Sequence, residues 1–556
     1  MSLRYTLKIS SLLVLFGLSA LLAATQTTAR QVSTPVVSPP AAAPSWWDNA
    51  VCYEVFVRSF SDSNGDGIGD FPGLTAKLDY LNDGDPTTTH DLGVTCLWLM
   101  PIFESPSYHG YDVVDYEAID RDYGTMDDFT TFLDDAHQRG IRVILDLPLN
   151  HTGVDHPWFQ DALMNSDSPY HDWYIWSADD PGYLGPWGQV VWHPTTRANG
   201  YYYGIFWEGM PDLNYRNPDV TAEARRISRF WLDKGVDGYR LDAIKHLIED
   251  GPIQEDTPET HAWLEDYGAF LAADYPDVLT IGEIFGATTS TLTAYFDPPQ
   301  LTGYYHFGIA DELINAVNSG SGNNLTTVVS SALASNPSQS FSTFLTNHDQ
   351  TRAMTVIGGD VNEAKLAATA LLTLPGLPFI YYGEEVGMTG DKPDERLRTP
   401  MQWSADALTG GFTSSLPWEP FQDNQSYVNV ASQAGDPASL LNHYRRLIHL
   451  HAVHPALGSG DFIPITISTR GLTAYLRVDG DDIVLVILNF GDERENAPTF
   501  TLAAGALTPG TYNLESLLGG MPAPPMTLAT DGTVSLWSNN ASIPANATLI
   551  YALTPA

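Results

Sequence analysis

Between positions 51 and 382 the chain alternates short apolar runs with amphipathic stretches, and few folds accommodate that alternation. The runs that read as strands are 51–57, 95–100, 142–146, 238–242, 278–283, 303–307, 342–346 and 379–382. Helical periodicity fills several of the gaps, at 126–138, 221–233, 259–273 and 363–374. Strands separated by helices pair in parallel, and eight such units predict a closed (β/α)8 TIM barrel. In that architecture chemistry belongs at the C-terminal ends of the strands. Polar residues cluster there: Asn150 and His151, Asp242, Glu283, and His348 with Asp349.

One connection breaks the rhythm. Residues 151–214 are rich in Trp, Tyr, Gly and Pro, and are expected to form an inserted domain walling one side of the site. The barrel is then assigned to 46–150 and 215–456. From 457 to 556 strand-like runs at 473–478, 482–488 and 547–552 are separated by Gly, Asp, Asn and Pro, which predicts an antiparallel β-sandwich. Residues 1–24, with Arg4 and Lys8 ahead of an apolar run, read as a secretory signal, and 25–45 as a disordered leader. A secreted, extracellular protein without a membrane anchor is expected. Cys52 and Cys96 each fall inside a strand; a disulfide is open after export, but two buried free thiols are the expectation.

Across 556 residues the formal net charge is -41. Such a surface repels nucleic acid and anionic membranes and suits neutral partners, although acidity also serves solubility in salt.

The segment Asp237-Gly238-Tyr239-Arg240-Leu241-Asp242 carries the first chemical signal. Alternation along a strand puts Arg240 and Asp242 on one side, where the cation favours an ionised carboxylate. Alone, this reads equally as a structural ion pair. Glu283 ends a strand in apolar surroundings, which raise a carboxyl pKa and suit a proton donor. Asp349 stands beside His348. Two acids with separated pKa values are what a retaining glycosidase requires, and a third carboxylate can stabilise the cationic transition state.

Four segments, Asp146 to His151, Gly238 to Asp242, Gly282-Glu283 and Asn347-His348-Asp349, resemble in order the main motifs of the α-amylase family of glycoside hydrolases. Met210 to Asn214 resembles a fifth, and the details are closest to bacterial amylases intermediate between the oligo-1,6-glucosidase and neopullulanase subgroups. The resemblance implies Asp242 as nucleophile, Glu283 as acid/base and Asp349 as transition-state stabiliser. It further implies Arg240 beside the nucleophile, His151 and His348 on sugar hydroxyls, and Tyr111 stacked on the sugar. Taken singly, each His would be a structural histidine.

Lys245 and His246 resemble α-amylase residues that face the departing sugars, whereas Asp112 and Arg398 resemble a pair that closes the pocket of exo-acting α-glucosidases. An α-amylase acting as a monomer on α-1,4-glucan or maltooligosaccharide is expected, with an exo-acting α-glucosidase or a transglucosylase as the alternative. Asp62, Asn64, Asp66, Ile68 (through its carbonyl) and Asp70 place oxygens at alternate positions of a loop with Gly67 at the sixth. That spacing fits Ca2+, although Gly73 stands where a bidentate Glu is usual and an acidic turn is the other reading.

Overall fold

The computed structural model describes residues 45–556, apart from 196–199, 337, 497, 520–522 and 536–541. The expected signal and leader lie outside the described residues. Eight parallel strands close into a barrel. They are β1 (Cys52–Val55), β2 (Cys96–Leu99), β3 (Arg142–Leu147), β4 (Gly238–Leu241), β5 (Leu279–Gly282), β6 (Gly303–Tyr305), β7 (Phe341–Thr343) and β8 (Leu377–Tyr381). Closure is made by β8 pairing with β1.

Local chemistry explains where the elements start and stop. Helix Met126–Gln138 begins at a capping box between Thr125 and Asp128 and buries Phe129, Phe132, Leu133 and Ala136 against the barrel. Helix Pro218–Leu232 starts two residues after Arg216, with Asn217 as cap and Pro218 in the first turn. Several strands are shorter than their apolar runs. After β6, His306 caps helix Phe307–Ser319 through Nδ1 rather than continuing the strand. After β7, Thr346 turns to accept from Ala353 N–H, ending pairing at Thr343. Asp360 starts its helix at Val361, ahead of the apolar periodicity, by accepting from the amides of Asn362 and Glu363.

The excursion after β3 contains helix Pro157–Met164 and a three-stranded antiparallel sheet of Trp176–Ser177, Trp192–Thr195 and Gly200–Tyr203. Its two ends meet, with His151 bridged to Asp212 and Leu213 N–H donating to the Asn150 carbonyl. Trp158, Trp173, Trp176 and Trp192 pack inward, whereas Trp187 and Trp207 are about half exposed.

Among the described residues eight C-terminal strands form one antiparallel sheet, which closes on itself where Asp461–Ile467 meets Phe500–Leu502, and Glu495–Asn496 pairs separately with Ser542–Ile543. The two faces of the expected sandwich therefore belong to a single rolled sheet, which leaves no open edge. Arg477, fully buried, fastens it to the barrel by donating to the carbonyls of Thr373, Gly458 and Gly460.

The expectation of free thiols is corrected: Cys52 and Cys96 form a disulfide. Neighbouring parallel strands place them directly opposite, with Cα atoms 4.3 Å apart. Neither the sequence spacing nor the burial of each Cys reveals that register. The bond closes a loop across the first βα unit, so reduction is expected to cost about 2–4 kcal/mol of stability. Denaturant titration with and without reductant measures it; identical midpoints would show that the bridge adds none.

Candidate active site

Each acid stands where its strand gives out. Asp242 follows Leu241 at the end of β4, and Glu283 follows Gly282 at the end of β5. The register pairs Leu241 with Gly282, so both acids leave adjacent strands at one level. Gly282 is required there, because a Cβ would lie 2.5 Å from Ile244 Cδ1 and 2.8 Å from a Tyr304 ring carbon. The residue after Asp242, Ala243, is left-handed at φ 49°, a conformation costing roughly 1–2 kcal/mol for an L-residue. That turn aims the Ala243 N–H at Glu283 Oε2, 3.0 Å away. Asp349 sits beyond β7 in a turn pinned by its own N–H to Asn347 Oδ1.

Arg240 ties the barrel ends together. Its Nη1 donates to Asp146 Oδ1 at 2.9 Å and Asp242 Oδ1 at 2.5 Å, and its Nη2 lies 3.1 Å from Glu283 Oε2. The Trp98 ring covers the guanidinium carbon at 5.1 Å. Arg240 and Asp146 have no exposed side-chain surface, so every partner of this cation is protein. Asp349 has its own cations: Arg398 Nη2 at 2.8 Å and His348 Nε2 at 3.2 Å. His348 Nδ1 meets Glu54 Oε1 at 2.6 Å, and its Nε2 lies 2.7 Å from the Tyr111 hydroxyl. That hydroxyl donates to Asp146 Oδ2 at 2.9 Å.

These contacts separate the acids. Burial pushes the Glu283 pKa up, and the charges of Asp242 and Asp349 add to the rise against the opposing pull of Arg240. Asp146 is pushed up to about 7, chiefly by burial. Burial acts on Asp349 in the same direction, but His348 and Arg398 outweigh it and hold the carboxyl far below the usual range. Burial also works against a charged His348, yet Asp349 and Glu54 raise its pKa to about 10. His151 goes the other way, to about 4, because burial dominates. A raised carboxyl beside a depressed one is the pairing a glycosidase uses.

The remaining expected residues are accounted for as follows. Tyr111 stacks on His348 with ring planes 17° apart. His151 approaches the Tyr111 carbonyl through Nε2 and packs against Phe206. Lys245 is held by Glu255 and the Phe285 carbonyl. His246 is buried, its Nδ1 2.8 Å from the Gln254 carbonyl and its ring set edge-on against both Trp187 and Phe206. Asp112 and Arg398 do not pair: Asp112 accepts from Ser105 and Ser107, while Arg398 serves Asp349 and the His348 carbonyl. Sequence reasoning missed Asp146 and Glu54 as parts of this cluster. Asp146 opens a motif already noted in the sequence, whereas the signal for Glu54 was only a lone acid in an otherwise uncharged strand.

In the 62–70 loop, Asp62 accepts from the amides of Asn64, Gly65 and Gly67, and Asp66 from Ile68. Asp70 accepts from Ser63 and Gly73. Among the described residues no three acidic, His or Cys side chains are grouped as around a metal. The donor chemistry nevertheless suits a hard cation: carboxyl, amide and carbonyl oxygens stand at alternate positions, and no described Lys, Arg or His pairs with the three acids.

A parallel barrel with a raised glutamate and clamped aspartates at its strand ends has the arrangement of a glycoside-cleaving enzyme. The family model described as the α-amylase catalytic domain matches residues 54–460, and the chain belongs to the α-amylase family of glycoside hydrolases and transglycosylases. It is 39% identical over 449 residues to Alpha-amylase 3 of Dictyoglomus thermophilum, covering 80% of this chain and 85% of that one. It is 34% identical over 537 residues to the oligo-1,6-glucosidase of Parageobacillus thermoglucosidasius, covering 82% and 92%. The crystal structure of an α-amylase from H. orenii superimposes with TM-score 0.77 at 37% identity, over 90% of this chain and 99% of that one.

Proposed function

We propose that the protein is a secreted, retaining α-amylase cleaving α-1,4-glucosidic bonds within starch and maltooligosaccharides. Asp242 attacks the anomeric carbon while Glu283 gives its proton to the departing oxygen. The sugar is then carried on Asp242, and Glu283, now a carboxylate, takes a proton from the water that displaces it. Asp349, ionised throughout by its two cations, faces the positive charge developing on the sugar. Tyr111 and His151 meet the hydroxyls and face of that sugar, and His348, its two ring nitrogens engaged by Glu54, Tyr111 and Asp349, shapes that place through Tyr111 and Asp349. The raised Glu283 carboxyl and depressed Asp349 carboxyl support this division of labour.

The observation favouring internal attack is the separation of Asp112 from Arg398, which leaves the pocket-closing pair unmade. From His151 the wall runs through Phe206 to Trp187, about half exposed, with Phe285 also exposed on this side. Exposed rings suit further sugar units, whose binding energy can be used at the reacting bond. The alternative, an exo-acting α-glucosidase or transglucosylase, draws support from the oligo-1,6-glucosidase relative and from Arg398 buried beside Asp349. Secretion rests on the apolar run ahead of Thr25.

Early hydrolysis of maltoheptaose is expected to release mixed short oligosaccharides, with rapid loss of iodine staining on starch. Glucose as the sole early product would establish the exo-acting reading, and a net gain of longer or rearranged sugars the transglucosylase one.

We propose further that Asp62, Asn64, Asp66, the Ile68 carbonyl and Asp70 hold Ca2+, supported by uncompensated charge and oxygen spacing. Chelation is then expected to lower the melting temperature, and Asp66→Ala to make the protein indifferent to chelator. Metal analysis finding no calcium in the pure protein would reduce the loop to a turn.

A further inference from the structure

Glu54 sits in the middle of β1, 1% exposed, in the run Cys52-Tyr53-Glu54-Val55 that is otherwise without charge. Burying a carboxyl in a barrel strand is costly unless it is paired. Its one ion-pair partner among the described residues is His348, 294 positions away, at 2.6 Å, shorter than an ordinary N–H···O bond.

The hydrogen-bond directions around His348 are tightly constrained. The Tyr111 hydroxyl spends its proton on Asp146 Oδ2, so toward His348 Nε2 it offers a lone pair. Asp349 Oδ2, at 3.2 Å from the same Nε2, is also an acceptor. On the other side Nδ1 faces Glu54 Oε1. Acceptors on both nitrogens require both to carry hydrogen, which is the imidazolium. Besides Tyr111, the ring contact of His348 among the described residues is Trp98, edge to face at 5.5 Å, which offers no competing polarity. The nearest cations are directed elsewhere, Arg398 to Asp349 and the His348 carbonyl, and Arg240 to Asp146 and Asp242.

We propose that Glu54 is a positioning residue for the reaction: it holds His348 doubly protonated and turned so that Nε2–H braces Asp349 and Tyr111. This rests on the role proposed above for Asp349. The chain of contacts then runs from β1 through His348, Tyr111 and Asp146 to Arg240, the residue that holds Asp242. The elevation of the His348 pKa to about 10 agrees with it. The sign follows directly: a raised pKa keeps the cation at low and neutral pH and loses it as pH rises. Removing the Glu54 charge lowers that pKa, so the cation is lost at lower pH.

The test compares Glu54→Gln, nearly the same shape without the charge, with Glu54→Asp, which keeps the charge on a shorter arm, and with Asp349→Asn. Glu54→Gln is expected to lower kcat by on the order of 10²-fold through misplacement of the acid–sugar geometry, with KM little changed. The His348 ring, followed by NMR, is expected to titrate at lower pH in Glu54→Gln than in the wild type. Glu54→Asp should lose rate but keep the wild-type His348 titration, and so carries the test if the Gln variant fails to fold. An unmoved His348 titration in Glu54→Gln, or one that falls in Glu54→Asp, would overturn the proposal and leave Glu54 a packing residue. Wild-type behaviour of Glu54→Gln beside an inactive Asp349→Asn would overturn the Glu54 proposal alone. Full activity in Asp349→Asn would overturn the reading of Asp349 and this proposal with it.

Discussion

A guanidinium with no exposed surface needs its charge matched nearby, and the catalytic end of this barrel is arranged around doing so for Arg240. Three strands each bring a carboxyl to it: Asp146 from β3, Asp242 at the end of β4 and Glu283 at the end of β5. Removing one partner from such a buried set typically costs about 3–5 kcal/mol, because the remaining charges are left uncompensated. The same cost fixes the side chains in place. One cation among three acids cannot leave all of them ionised at equal ease. Burial raises both Asp146, to about 7, and Glu283; the charge of Asp242 adds to each rise, and that of Asp349 to the rise of Glu283.

Asp349 is placed outside this clamp and given separate cations, His348 and Arg398. Splitting the acids between two positive centres lets neighbouring carboxyls differ in protonation within one cleft. The second centre is joined to the first by Tyr111, whose hydroxyl bonds Asp146 on one side and meets His348 on the other. The insert adds the cleft wall without entering this circuit: His151, kept neutral by burial, touches Tyr111 only through the backbone carbonyl.

Much of this was legible in the sequence because barrel strands are apolar runs and their ends are marked by polar residues. The strand ends themselves were less legible, since caps such as His306 and Asp360 override apolar periodicity. Asp242, Glu283 and Asp349 could be read because each sits within a short contiguous motif. Glu54 could not: a lone acid within a strand gains meaning only from a partner 294 positions on. The disulfide failed for the same reason, because register between β1 and β2 is set by closure of the whole barrel. Asp112 and Arg398, associated by resemblance, are engaged in this fold with Ser105 and Ser107 and with Asp349.

The central claim is that the Arg240 clamp presents Asp242 as the nucleophile and reserves the proton for Glu283. Trapping the glycosyl-enzyme with a fluorinated glucosyl fluoride and mapping the labelled peptide by mass spectrometry tests it most directly. The account predicts a single covalent sugar on the peptide carrying Asp242, and a stable adduct in which Glu283 is unmodified. A label on Glu283 or Asp349, or turnover with inversion of the anomeric centre, would contradict it.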